Sequence, residues 1–330
     1  MTVTILITGV AGLIGNNFVR WLLENIKNIK IIGIDSLEGG YKEYVCHDID
    51  FYKFDLLDYT LVEYIFKKYK IDLIYHFAAY AAEGLSPFIR KYNYNNNLLC
   101  TTNLVNMSIK YNIKRFIFTS SMAVYGKGKA PFSEENKPNP IDPYGVAKYA
   151  AEMDIQIAGQ QHGLDWCIIR PHNVYGKYQN IWDIYRNVLG IWMYQTINKQ
   201  KITIYGDGEQ KRAFTYVDDI MRPLWNAGIF KKCSKQIINL GGIEDHSINE
   251  AANIFCKHID NDRVYLEKRH EVKYAYSTFE KSVNLLEFKH QTSLEDGILK
   301  MWKWAKEQPN RERKKWKEFE IDKKIYEYWK

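Results

Sequence analysis

Gly9-Val10-Ala11-Gly12-Leu13-Ile14-Gly15 joins an apolar, β-branched run, VTILIT (3–8), to a stretch of helical spacing over 13–27. Glycine at every third residue lets the backbone turn tightly out of a strand, approach a bound group closely and seat the helix on its sheet. The helix begun there offers unpaired N–H groups and the positive end of its dipole to an anion. Strand, glycine turn and helix in that order open a β-α-β unit, which commits the chain to parallel strands with helical crossovers. Asp35 ends the second strand, IIGID (31–35). From there a carboxylate can accept both hydroxyls of an adenosine ribose and would repel a 2′-phosphate, so NAD is favoured over NADP.

The alternation continues. FYKFD (51–55), DLIYHFA (72–78), FIFTS (116–120) and WCIIR (166–170) read as strands. Helical spacing fills 61–69, 88–111 and 144–162 between them. This pattern predicts an α/β fold, a Rossmann-type doubly wound parallel sheet covered on both faces. Beyond about 175 the order loosens: helices near 182–198, from 217, 248–258 and 293–307 surround strands KITIYG (201–206) and QIINL (236–240). The expected division is a dinucleotide-binding domain over 1–175 and a smaller α/β C-terminal substrate domain over 176–330, with about 215–240 packing back onto the first sheet.

Composition narrows the function classes. A net charge of +7 and a pI near 8.8 favour anionic partners, a phosphate-bearing metabolite among them. Five scattered cysteines with no CxxC pair argue for a reducing cytoplasm over a disulfide framework. No segment sustains the apolar length that spans a bilayer, so no membrane association is expected. None of the eight histidines forms a ligand-spaced set, so no metal is expected. The tail from 302 interleaves basic and aromatic residues, but acids spaced for i,i+4 pairs accompany them. A terminal helix with a solvated charged face, anchored by Trp316, Phe319, Ile321 and Trp329, is expected there rather than a nucleic-acid surface.

PYGVAK (143–148) sets Tyr144 and Lys148 four residues apart on one helix face. A phenol titrating near 10 is a poor base at neutral pH, and a neighbouring ammonium favours the phenolate. Between the glycine loop and this helix, TSSMAVYG (119–126) brings a hydroxyl, Ser121, to the end of a strand.

With these pieces the chain resembles an extended short-chain dehydrogenase/reductase of the nucleotide-sugar epimerase/dehydratase family. TGVAGLIG (8–15), DLLD (55–58), HFAA (76–79), NLLCTTNLV (97–105), TSSMAVYG, DPYGVAK (142–148), RPHNVYG (170–176) and GDGEQKRAFTYVDD (206–219) carry the resemblance. It implies NAD held by Gly9, Gly12, Leu13, Ile14, Gly15, Asp35 and Ser36, with Asp55 and Leu56 along the adenine. Phe77, Ala78, Ala79, Asn97, Pro171 and His172 would line or buttress the same cofactor. Ser121 would hydrogen-bond the reacting hydroxyl, Tyr144 would be the base, and Lys148 would hold the ribose and tune Tyr144. A nucleotide-diphosphate sugar would meet Glu83, Asn173, Arg212 and Arg269, and subunits would pair as a homodimer through the helices at 88–111 and 144–162.

The chain also departs from the commoner family pattern at Val10, at Pro171-His172 and at Ala213. Family members that dehydrate the sugar carry Asp-Glu directly after the catalytic hydroxyl. Met122 and Ala123 stand there instead. What remains is redox at C4: UDP-glucose 4-epimerase-like inversion through a transient 4-keto sugar. A 4-dehydrogenase or 4-ketoreductase doing half that cycle is the alternative, and a non-catalytic dinucleotide-binding regulator a third.

Overall fold

The computed structural model describes residues 2–330. In the first half β1 (Val3–Thr8), α1 (Leu13–Asn25), β2 (Ile29–Asp35), β3 (Asp50–Lys53), α2 (Tyr59–Lys68), β4 (Leu73–His76), α3 (Arg90–Tyr94), α4 (Cys100–Lys110), β5 (Arg115–Thr119), α5 (Pro143–His162) and β6 (Trp166–Pro171) follow one another. The second half contributes β7 (Val174–Tyr175), α6 (Val188–Ile197), β8 (Ile202–Tyr205), β9 (Lys211–Ala213), β10 (Thr215–Tyr216), α7 (Met221–Ile229) and β11 (Gln236–Leu240). β12 (Asp245–Ser247), α8 (Ile248–His258), β13 (Arg263–Leu266), β14 (Tyr274–Ala275), α9 (Glu280–Leu286) and α10 (Leu294–Lys306) complete it.

Seven parallel strands form the central sheet in the order β11-β6-β5-β4-β1-β2-β3. Strands buried on both faces read as unbroken apolar runs, and β4 and β5 are buried at every position. On one face Phe18, Val19 and Leu22 of α1 pack with Leu224 and Ala227 of α7 and Leu286 of α9. On the other, Val62 and Ile65 of α2, Leu104 and Val105 of α4, and Ala151 and Ile155 of α5 close the core. Each such side chain contributes about 1.5–3 kcal/mol by leaving water. The strand order reverses between β1 and β4, so a crevice opens at their C-terminal ends, where ligands of open α/β sheets bind.

A third core, around Trp192, Ile202, Ile204, Phe255 and Ile298, belongs to the second half. The chain returns from it through α7 to β11, which pairs with β6 at the sheet edge.

Three expected helices differ, the one near 182–198 beginning only at Val188. The stretch at 88–111 is helical from Arg90, but Asn95–Leu99 is a π turn between α3 and α4. The expected terminal helix stops at Lys306, and Pro309 lies just beyond, where it can neither donate to a helix nor let its predecessor stay helical. The tail instead runs without helix until a single 3₁₀ turn, Glu327–Trp329. Trp316, Phe319 and Trp329 pack with Tyr80, Phe88 and Tyr185, whereas the Ile321 side chain is exposed and only its backbone N–H, donating to Phe88 O (3.2 Å), ties it there. No helix among the described residues is long and apolar enough to cross a membrane.

Candidate active site

A cleft of ≈ 410 Å³ lies above the reversal of strand order, lined from both halves of the chain. Its floor is the glycine loop. Gly9 adopts φ +77°, and a Cβ there would stand 2.8 Å from the Ala78 backbone nitrogen. A Cβ on Gly15 would strike the Gly9 carbonyl oxygen. No side chain caps the N-terminus of α1 and its first turn holds no acid, so the N–H groups of that turn face the cleft unneutralised. Asp35 is buried at the end of β2, accepting from Ala11 N (2.9 Å) and Leu37 N (2.7 Å). Burial raises its pKa and those two N–H bonds pull it back. Ser36, Asp55, Leu56, Phe77, Ala78 and Ala79 line the same end, as do Leu13 and Ile14. A bare helix N-terminus, a loop that admits no Cβ and an acceptor for ribose hydroxyls together fit a dinucleotide such as NAD.

Asn97 sits apart from this lining. The π turn swings its side chain under the loop after β4, where Oδ1 accepts from Tyr80 N (3.0 Å) and Nδ2 donates to Tyr80 O (3.2 Å). It therefore braces the wall through backbone, and its neighbour Asn96 faces the cleft. An insertion of this kind is a local feature that periodicity alone does not reveal.

The reacting end is built by the start of α5. Asp142 caps the helix by accepting from Gly145 N (2.9 Å), Pro143 opens the first turn, and Tyr144 N donates to Ser86 Oγ (3.2 Å). Tyr144 and Lys148 then project into the cleft one turn apart, with Nζ 6.0 Å from the phenol ring centre. Lys148 Nζ donates to Thr119 O (2.8 Å) at the end of β5. Burial pulls the ammonium down to about 7, against the Glu152 carboxylate that favours its charged form. Burial likewise raises the Tyr144 phenol, with Glu83 and Asp142 adding to the rise and the Ser121 hydroxyl opposing it. Ser121 caps a 3₁₀ turn, Met122–Val124, its Oγ accepting from Ala123 N (3.1 Å), which leaves the hydroxyl proton free to donate. The Met122 side chain packs with Val124, Tyr125 and Phe132.

Glu83, Pro171, His172, Asn173, Arg212 and Arg269 also line the cleft. Glu83 faces the open cleft but is ringed by protein. Desolvation first, then Asp142, push its carboxyl up to about 7, while Arg212 and Arg269 pull it down. His172 is buried beside Ser277 Oγ (2.7 Å), and burial keeps it neutral, down to about 4. The terminal nitrogens of Arg212 donate to Lys211 O, Lys273 O, Val272 O and Glu271. Arg269 lies 4.1 Å over the Tyr205 ring with its buried Nε unpartnered. Asn173 Nδ2 donates to Ala213 O (3.2 Å).

Sequence reasoning missed Arg186, Glu271, Tyr185 and Gln210, which also line the cleft. Gln210 sits inside the GDGEQKRAFTYVDD stretch, two residues before Arg212. Arg186, Glu271 and Tyr185 lie in stretches without family-like motifs and reach the site only because the second half folds over the first.

The model of the NAD dependent epimerase/dehydratase family matches residues 5–241. A putative UDP-glucose 4-epimerase from Methanocaldococcus jannaschii is 32% identical over 92% of this chain and 98% of its own. The UDP-glucose 4-epimerase of Thermotoga maritima, solved with UDP-glucose, superposes with a TM-score of 0.86 at 30% identity, over 91% of this chain and 98% of that one. The UDP-glucuronic acid 4-epimerase of Bacillus cereus, solved with UDP-glucuronic acid and NAD, gives 0.82 at 27% identity, over 92% and 99%.

Proposed function

The chain belongs to the NAD-dependent epimerase/dehydratase family, and from that premise we propose that it is a nucleotide-sugar 4-epimerase of the UDP-hexose type. The observation that carries the reading is the convergence of Ser121, Tyr144 and Lys148 on the cleft that also holds the glycine loop, with Met122 and Ala123 where a dehydrating enzyme needs acids. Bound NAD supplies the hydride acceptor and a positive ring that favours the Tyr144 phenolate. Tyr144 takes the proton of the sugar 4-hydroxyl and later returns it. Ser121 donates to the same oxygen and fixes its approach. Lys148, held by Thr119 O, offsets the phenolate charge across one helical turn. The 4-keto sugar so formed turns over within the cleft and is reduced on its other face, so C4 inverts.

Asn173 and Arg269 are our assignment for the substrate diphosphate. Arg269 has donors to spare, and Arg212 supports it by holding Glu271 between them. Glu83 is assigned to the sugar. Exposed Val146, Met153 and Ile157 on α5 and Leu99 beside α4 support a homodimer through those helices. Five free cysteines support residence in a reducing compartment such as the cytoplasm.

Incubation with UDP-glucose, UDP-glucuronic acid and related UDP-sugars in D₂O, followed by NMR of the products, tests the reading. A C4 epimer free of solvent deuterium is the expected product. Deuterium at C3 or C5 would sink the assignment and point to Glu83 as a proton carrier. Stoichiometric reduced cofactor would favour the half-cycle instead.

A further inference from the structure

Arg186 stands in the cleft with half of its chemistry unused. Its Nε donates to Asp183 Oδ2 (3.1 Å), and its guanidinium lies 4.7 Å from the Tyr80 ring centre. Asp183 has no exposed side-chain surface, and it also accepts from Tyr80 Oη (3.2 Å) and Tyr185 N (2.9 Å). The orientation of the guanidinium is thereby set by a buried carboxylate and an aromatic face. The tail braces the same loop from outside: Lys314 N donates to Trp182 O (2.8 Å), and Trp316 N to Tyr185 Oη (3.0 Å). Among the described residues the two terminal nitrogens have no acceptor, and they open on the cleft. An arginine fixed at Nε with both terminal groups free presents a fork suited to phosphate oxygens.

Its position says which phosphates. A Cβ on Gly39 would meet Arg186 Nη2 at 2.5 Å, and one on Gly40 would strike Ala11. Arg186 therefore faces the glycine loop across only the turn after β2. Its charge is felt both by Asp35, the ribose acceptor, and by Tyr144 at the reacting end. In a dinucleotide stretched between those two residues, the part that lies between is the diphosphate. We propose that Arg186 binds the diphosphate of the NAD cofactor, on the side opposite the α1 N-terminus. The helix end and the guanidinium close on the two phosphates from either side, so the cofactor stays bound through both hydride transfers of a turnover. The assignment rests on NAD being the cofactor.

The test compares full-length wild type with Arg186→Gln and Arg186→Lys, measuring the NAD content of freshly purified protein. Calorimetric titrations with NAD, ADP-ribose, adenosine and UDP follow at one salt concentration. Arg186→Gln should weaken NAD and ADP-ribose by about 10- to 100-fold and leave adenosine and UDP within about twofold. Arg186→Lys, which keeps the charge but loses the fork, should fall between. Equal weakening of adenosine would mean a collapsed pocket and overturn the proposal. Weakening of UDP alone would move the residue to the substrate's diphosphate and overturn it too. An unchanged NAD affinity would refute it outright, and a wild type that binds neither NAD nor ADP-ribose would overturn the cofactor reading with it.

Discussion

Replacing Glu152 with glutamine removes one charge from a buried pair directly beneath the reacting groups. Glu152 lies one turn along α5 from Lys148 and is 0% exposed. It accepts from Arg170 Nε (2.9 Å) and Nη2 (2.6 Å), and Arg170 is itself 2% exposed. Ser120 donates to the same carboxylate, and the guanidinium lies 4.7 Å from the Tyr125 ring centre. Arg170 cannot shed its proton, so without Glu152 its charge stays buried and uncompensated. Breaking one side of such a pair costs ~3–5 kcal/mol. The glutamine amide retains an acceptor, so the loss should fall near the lower figure. Replacing both partners by methionine removes both charges and should recover most of it, because apolar pairs of similar volume are often neutral or better. Urea unfolding of wild type, Glu152→Gln and the double methionine variant measures both. The carboxylate also favours the Lys148 ammonium against burial. Its loss should let Lys148 deprotonate at lower pH, moving the alkaline limb of the turnover profile toward acid. A Glu152→Gln protein within about 1 kcal/mol of wild type, or a double variant no more stable than the single one, would refute the reasoning.

Tyr144→Phe keeps the ring in its buried place but removes the proton acceptor. Turnover should drop by about 10²- to 10⁴-fold with NAD content unchanged, and a variant retaining a tenth of wild-type turnover would remove Tyr144 from this role. His76 and His172 are each 1% exposed, and burial holds their pKa down, to about 3 and about 4. The unfolded chain takes up protons below about pH 6.5 while the folded one does not. Stability should therefore fall by roughly 1.4 kcal/mol per histidine for each pH unit from 6.5 toward those values, as read from denaturant midpoints. His172→Asn should flatten that slope. Trp329 is 3% exposed against Phe88 and Tyr185. Trp329→Ala should cost about 3–5 kcal/mol locally and speed tryptic cleavage at Lys323 and Lys324, whereas cleavage at the wild-type rate would show that the tail is not held there.

Local chemistry made the first half of this chain legible in one dimension. A run such as VTILIT must be buried on both sides, a glycine turn that tolerates no Cβ must receive a close neighbour, and a tyrosine four residues before a lysine must share its helix face. These are short-range constraints, and the observed β1, the loop at 9–15 and the start of α5 follow from them. The inference that a Ser-Tyr-Lys set serves the same cleft as Asp35 came from resemblance, since nothing local brings residues so far apart together. Only the tertiary structure decided the rest. Asn97 lies outside the cleft lining because its amide, on the π turn at Asn95–Leu99, bonds the Tyr80 backbone while Asn96 faces the cleft. The tail has i,i+4 charge pairs written into it, yet Pro309 follows the end of α10, and packing against Phe88, Tyr80 and Tyr185 buries its aromatics more than a solvated helix would. Arg186 carries no motif, and its meaning lies in Asp183, Tyr80 and Gly39. Periodicity reports which face of an element is buried; which charges meet across the cleft depends on how two layers, each folded by its own core, come to rest against each other.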